Sequence, residues 1–259
     1  MNEVGAGTLG LERLEGGAYW EVELSGSKGN VLDSALIGAL TALFEEASVA
    51  GELKAICLRG RGKDFSFGAS VKEHLPGEVG RMLPRFHELF RAIDASAVPL
   101  LAAVRGQCLG GGLELVSFCH RVFAAPDAKL GQPEIALGVF APLASLVLPG
   151  RIGRANAEDL CLTGRIVGAP EAASMGLVDV VTDEPEAAAL EYARKHLLPR
   201  SASSLRHAVR ALRLPVSRLL QEDLPRVEKL YLEELMETGD AAEGIRAFLE
   251  KRPAEWRNR

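Results

Sequence analysis

Glu114 and Glu134 each stand inside a run of apolar residues. Glu114 lies in GQCLGGGLELVSF (106–118), beside Leu113, Leu115, Val116 and Phe118. Glu134 follows a proline in KLGQPEIALGVFAP (129–142), near Ile135, Leu137, Val139 and Phe140. Ionising a carboxyl group in such surroundings is costly. Its pKa is therefore drawn toward working pH, as a general acid or base requires. A helix out and a strand back between the two positions would bring both to one pocket. Taken singly, Glu114 also fits a first-turn carboxylate favoured by the helix dipole, and Glu134 a loop carboxylate. The apolar neighbours of Glu134 weigh against full solvation.

Gly110, Gly111 and Gly112 stand just before this first glutamate, with Leu113 between. Adjacent glycines lose more backbone freedom on folding than any other residues would. A glycine turn that opens a helix leaves N–H groups unpaired and lets another group come close to them. An anion, or a carbonyl oxygen becoming one, would suit that position. Close packing of the helix on a strand is the other use of such a turn. No Lys-Ser/Thr follows and the glycine spacing differs, so this is neither a nucleotide phosphate loop nor a GxGxxG fingerprint.

These residues need elements to hold them. AYWEVEL (18–24) alternates Trp20, Val22 and Leu24 with Glu21 and Glu23, the pattern of a half-buried strand. NVLDSALIGALTALFEEA predicts a helix capped at Asp33 or Ser34, with Leu36, Leu40 and Leu43 on one face. KAICLRG (54–60), VPLLAAVRG (98–106) and RVFAAP (121–126) predict further strands. A helix over about 79–96 carries Met82, Phe86, Leu89, Phe90 and Ile93 on one side, and another spans about 110–119. Strands alternating with helices favour an α/β architecture with parallel pairing. Beyond about residue 185 the pattern is almost wholly helical. The expected organisation is an α/β core over 1–184 and a helical region over 185–259.

The 259 residues suffice for a buried core without staples. Acidic residues outnumber basic ones, 35 to 30, which weighs against a nucleic-acid surface. Cys57, Cys108, Cys119 and Cys161 form no CxxC pair and sit in apolar stretches, as buried thiols of a reducing compartment do. The five histidines show no metal-binding spacing. No apolar run is long enough to span a bilayer, and no signal peptide is visible. The expectation is a cytoplasmic protein without metal, membrane or nucleic-acid partner.

The chain resembles the crotonase (enoyl-CoA hydratase/isomerase) superfamily. The resemblance rests on FSFGASVKEH (65–74), AAVRGQCLGGGLELVSFCHRVFAAPDAKLGQPEIALG (102–138), RANAEDLCLTGRIVGAPEAASMGLVDVV (154–181) and EGIRAFLEKRPAEW (243–256). It implies an α/β fold, a spiral of ββα units with a helical C-terminal region that trimerises. It also implies a homotrimer or dimer of trimers acting on an acyl-CoA thioester, with coenzyme A part of the substrate and no separate cofactor. The implied oxyanion hole is the N–H groups of Ala69 and Gly111, and the implied acid and base are Glu114 and Glu134. Both glutamates are retained, which favours hydration of a conjugated acyl-CoA.

Three departures stand out. Ser70 replaces the family's usual aspartate, and Cys119-His120 its usual Cys-Asp. APLASLVLP (141–149) replaces a glycine-rich stretch that lines the acyl pocket, so Pro142, Leu143, Leu146 and Val147 would form a rigid apolar wall for a larger or cyclic acyl group. FSFGASVKEHLP together with GVFAPLAS resembles the branch that hydrates cyclohexa-1,5-diene-1-carbonyl-CoA in anaerobic aromatic degradation. Phe67, His74 and Phe140 are then candidate pocket residues, with Phe65 divided between pocket and core. Lys28, Asn30 and Val31 are candidates for the CoA nucleotide, as are Phe248 and Lys251, reaching in from a neighbouring subunit. Other activities on the same fold are a straight-chain enoyl-CoA hydratase and a cyclic β-keto-acyl-CoA hydrolase. Outside enzymes, the alternative is a non-catalytic acyl-CoA or RNA-binding relative.

Overall fold

A computed structural model describes residues 8–258. After the antiparallel hairpin of β1 (Leu9–Leu14) and β2 (Tyr19–Leu24), the chain makes three similar passes. The first runs through α1 (Ser34–Val49), β3 (Ala55–Gly60), a single bridge at Ser66, and α2 (Val79–Ser96). The second is β4 (Leu100–Val104), β5 (Gln107–Leu109) and α3 (Gly111–Ser117). The third is β6 (Arg121–Ala124), β7 (Lys129–Gly131), a 3-10 turn over Pro133–Leu137 and α4 (Pro142–Ile152). Each pass gives one segment to a large sheet, one to a small sheet, and then a helix. This is the spiral of ββα units that the family resemblance implied. α5 (Arg154–Thr163), β8 (Ile166–Gly168), α6 (Ala169–Met175) and β9 (Val180–Val181) complete the sheets. The large sheet has the order β1-β2-β3-β4-β6-β9, parallel from β2 onward; the small one is β5-β7-β8.

Local chemistry explains these elements. Trp20, Val22 and Leu24 are buried while Glu21 and Glu23 remain at the rim. The Asp33 side chain accepts the Leu36 N–H at 3.0 Å and starts α1. All five predicted apolar residues of α2 are buried against α1 and the large sheet. On the opposite face of that sheet, Tyr19, Cys57, Leu101 and Phe123 form a smaller core under Ala189 of α7 (Pro185–Tyr192). Phe65 is fully buried in the main core, which settles its role as packing.

The remaining helices are α8 (Ala202–Arg218), α9 (Leu224–Lys229) and α10 (Gly239–Glu250). His120, the residue in place of the family's aspartate, fastens α8 to the core. Its Nδ1 accepts the Leu100 N–H at 2.9 Å, and its Nε2 lies 3.1 Å from Arg213 Nε. Burial, and then the Arg213 charge, push His120 down to about 3, so it stays a neutral acceptor. α10 folds back over the turns at Val71–His74 and Pro133–Leu137. Gly244 permits that approach, because a Cβ there would strike the Leu137 carbonyl group. Among the described residues, no helix is long and apolar enough to cross a membrane.

Candidate active site

The glycine turn follows β5 and opens α3. Gly110 has φ +51° and ψ −126°, a conformation that side-chain-bearing residues rarely adopt. A Cβ at Gly110 would also collide with the Glu134 carboxylate. At Gly111 a Cβ would lie 3.1 Å from the Ala69 nitrogen and 3.1 Å from the Phe86 ring. At Gly112 it would lie 2.8 Å from Ser66 Cβ. Each glycine therefore keeps clear a different neighbour.

Ala69 and Gly111 present their N–H groups side by side. As the first residue of α3, Gly111 has no intrahelical acceptor. The bridge beside Ala69 uses other groups: Leu32 N donates to Gly68 O at 2.9 Å, and Ser70 N to Leu32 O at 3.2 Å. The Gly68 N–H is held by Ser66 Oγ at 3.0 Å, which in turn donates to Asn30 O at 2.8 Å. Two neighbouring backbone N–H groups are thus left without an acceptor among the described residues.

Glu114, from the first turn of α3, is 3 % exposed, and its Oε1 accepts the Ala144 N–H at the start of α4 at 2.9 Å. Glu134, on the 3-10 turn, is open only in part. Gln132, also buried, places its amide nitrogen 3.1 and 3.0 Å from the two Glu134 oxygens when the amide is turned toward them. Burial pushes both carboxyl groups well above the usual carboxylate range. The N–H bonds from α4 oppose that shift at Glu114, whereas the Glu114 charge adds to it at Glu134. The two titrate as a coupled pair, so the raised values belong to the pair as a whole.

Both glutamates line one cavity with Ala69, Gly111, Phe67, His74 and Phe140. Burial lowers the His74 pKa, and its Nδ1 lies 2.8 Å from Ser70 O, so a neutral imidazole presents its other nitrogen. Only Ala141 and Pro142 of the expected apolar wall reach the cavity. Leu143 and Val147 are buried in the core, and Leu146 packs against it. The segment coils into α4, whose helical period turns these three away from the cavity. The sequence reading also missed Tyr231 and Ile245, which close the cavity from the C-terminal region. Their apolar helical spacing resembles that of any core residue, so no local signal marks them.

The cavity continues into an apolar groove of about 570 Å³ between Phe67 and Phe248. These rings are 49 % and 54 % exposed, large for phenylalanines of one chain. Phe248 lines this groove together with Phe67 of its own chain. Lys28 is exposed and Val31 partly buried beside this region. Asn30 is occupied otherwise: its Nδ2 contacts Arg61 O, Asp64 O and Phe65 O at 3.0, 2.8 and 3.1 Å. Its amide fastens the 61–65 loop and has no hydrogen left for a nucleotide. Lys251 ends α10 in the left-handed conformation at φ +55°. That turn sends Arg252, not Lys251, along the groove.

The Enoyl-CoA hydratase/isomerase family matches residues 20–259. The chain is 50 % identical, over 94 % of both sequences, to a cyclohexa-1,5-dienecarbonyl-CoA hydratase of Thauera aromatica. It is 33 % identical to a probable enoyl-CoA hydratase of Bacillus subtilis, over 88 % of this chain and 91 % of that one. Among solved structures, an enoyl-CoA hydratase/isomerase from Pseudoalteromonas atlantica superposes with a TM-score of 0.85 at 27 % identity, covering 96 % of this chain and 99 % of that one.

Proposed function

The chain belongs to the enoyl-CoA hydratase/isomerase family, and on that basis we propose that it adds water to a cyclic dienoyl thioester, cyclohexa-1,5-diene-1-carbonyl-CoA. The observation that carries this reading is the pair of glutamates facing one cavity beside two free backbone N–H groups. The relative from Thauera supports the choice of ring.

In this mechanism the thioester oxygen rests on the N–H groups of Ala69 and Gly111. Glu114, whose carboxylate form is favoured by the Ala144 N–H, takes a proton from water as the water oxygen bonds to the β-carbon. The electron pair of the double bond moves onto the thioester oxygen, giving an enolate. Those donors hold charge that exists only after attack; losing one such donor typically costs about 2.7–4 kcal/mol. As the enolate collapses, Glu134 delivers its proton to a ring carbon. Passing the proton from Glu114 back to Glu134 restores the pair, and the net change is addition of one water. Phe67, His74, Phe140 and Pro142 enclose the ring, while the groove between Phe67 and Phe248 takes the pantetheine arm. Lys28, Val31 and Arg252 lie toward the nucleotide end. Coenzyme A is part of the substrate, and no further cofactor enters.

We place this activity in anaerobic aromatic degradation, in the cytoplasm, where four free cysteines remain reduced. The working assembly in this reading is a trimer or a dimer of trimers. Exposed Leu212 and Leu214 on α8 support an oligomeric contact. Light scattering at micromolar concentration tests it, and a monomeric mass refutes it. The functional test is steady-state hydration of cyclohexa-1,5-diene-1-carbonyl-CoA and crotonyl-CoA in competition. The expected result is a much larger kcat/KM for the ring. A preference for crotonyl-CoA removes the cyclic substrate and leaves a straight-chain hydratase; no turnover of either removes the hydratase reading.

A further inference from the structure

Tyr231 is 1 % exposed, yet its hydroxyl has no hydrogen-bond partner among the described residues. A hydroxyl buried in that state has given up water without a replacement, at a cost in stability. Such a cost at one particular place calls for a compensating use. The place is the catalytic cavity: Tyr231 lines it together with Glu114 and Glu134. Its ring stands edge-on to Phe140 at 5.3 Å between centroids, so its direction is fixed. The residue sits in a π-helical turn, Leu230–Glu234. One wide turn of this kind shifts the facing of the residues after it, and such turns gather at functional sites.

Resting on the hydratase reading above, we propose that Tyr231 contacts the substrate: its hydroxyl donates a hydrogen bond to the oxygen added across the double bond. Two carboxyl groups and one phenol then surround that oxygen. Glu114 removes its proton, Glu134 protonates carbon, and Tyr231 holds it on line. A phenol suits this position because it stays protonated. Burial raises its pKa, and the charges of Glu134 and then Glu114 raise it further. It therefore donates a hydrogen bond without adding a third negative charge. Because the group is neutral and held by packing, the bond requires no reorganisation during attack. The ring delivers this donor from the helical C-terminal region, so the region contributes to the chemistry as well as covering the site.

The test is Tyr231→Phe, which keeps the ring against Phe140 and removes only the hydroxyl. The expected result is a kcat for hydration lower by about tenfold, the scale of one lost neutral hydrogen bond. KM should stay within about twofold, and the melting temperature should hold or rise, because the packing is retained and a buried unpaired hydroxyl is removed. A second measurement does not depend on turnover. Inhibition or dissociation constants are compared for 2-hydroxycyclohexanecarbonyl-CoA and cyclohexanecarbonyl-CoA, which differ only in the hydroxyl. The wild type should prefer the hydroxylated thioester, and Tyr231→Phe should lose about tenfold of that preference. An unchanged kcat with an unchanged preference overturns the proposal and leaves Tyr231 as packing. If the wild type hydrates no enoyl-CoA, the hydratase reading falls, and the ligand pair alone then judges whether Tyr231 meets the ring substituent.

Discussion

The glycine turn at Gly110–Gly112 and the C-terminal stretch from Tyr231 to Phe248 reach the same cavity by different physical means. The turn acts through backbone. Its N–H group is held by strand pairing on one side and a helix start on the other, and each glycine exists because a neighbour occupies the space of its Cβ. The C-terminal stretch acts through side chains. Tyr231 follows α9, which Glu228 fastens to the buried His87 at 2.5 Å, and Ile245 and Phe248 stand on α10, which packs on the turns at Val71–His74 and Pro133–Leu137. Charge stabilisation needs positions fixed to tenths of an ångström, which a buried turn supplies. Enclosing an acyl group needs shape, which helices can supply without disturbing that turn. The lesson is a division of labour in which mutations of the core region strike kcat and those of the outer stretch strike binding, with Tyr231 at the boundary.

The largest effects should come from the core side. Glu114→Gln and Glu134→Gln should each lower kcat by at least about 10²-fold, the scale of a lost general acid or base. Steady-state kinetics check this, and near wild-type turnover in either variant would remove that glutamate from the chemistry. Gly110→Ala should come next. The strained backbone costs about 1–3 kcal/mol, and the Cβ displaces Glu134. The expected outcome is more than about a tenfold loss of kcat with a lowered melting temperature, measured on the same preparation. Phe248→Ala should be milder. It removes part of an apolar groove wall and should raise KM by about threefold to tenfold at unchanged kcat, as lost uniform binding does. An equal fall of kcat in Phe248→Ala would erase the distinction between the two regions.

The smallest effect is on stability, and its sign is unusual. Both glutamates hold their protons more tightly folded than unfolded. The folded state therefore binds more protons than the unfolded one above the ordinary carboxylate value of about 4.3. Stability from this pair is fully present below that value and is lost as pH rises through the raised folded values. Glu114→Gln and Glu134→Gln have no such loss. Each should melt above wild type near pH 8, by about 2–4 °C for each kcal/mol recovered, and match it near pH 4. Differential scanning calorimetry at the two pH values decides; equal melting temperatures at pH 8 would mean that ionising the pair costs nothing.

Strands β2, β3, β4 and β6, the long α2 helix, a cap at Asp33 or Ser34 and the glycine turn were legible in the residues, because alternation, helical period and capping are local properties; the short strands β5, β7, β8 and β9 were not. So were the two glutamates, since charge within an apolar run is visible without a fold. The family resemblance added the oxyanion donors, and the structure brings both N–H groups together. Tertiary structure decided the rest. It turned Leu143, Leu146 and Val147 from pocket wall to core, because a helix at Pro142 rotates successive side chains about its axis. It committed Asn30 to three loop carbonyls and set Arg252 rather than Lys251 on the groove, because both outcomes depend on where distant backbone lies. Above all it brought Tyr231 beside Glu134. A buried aromatic residue looks the same in sequence whether it meets core or cavity, and only long-range packing separates the two.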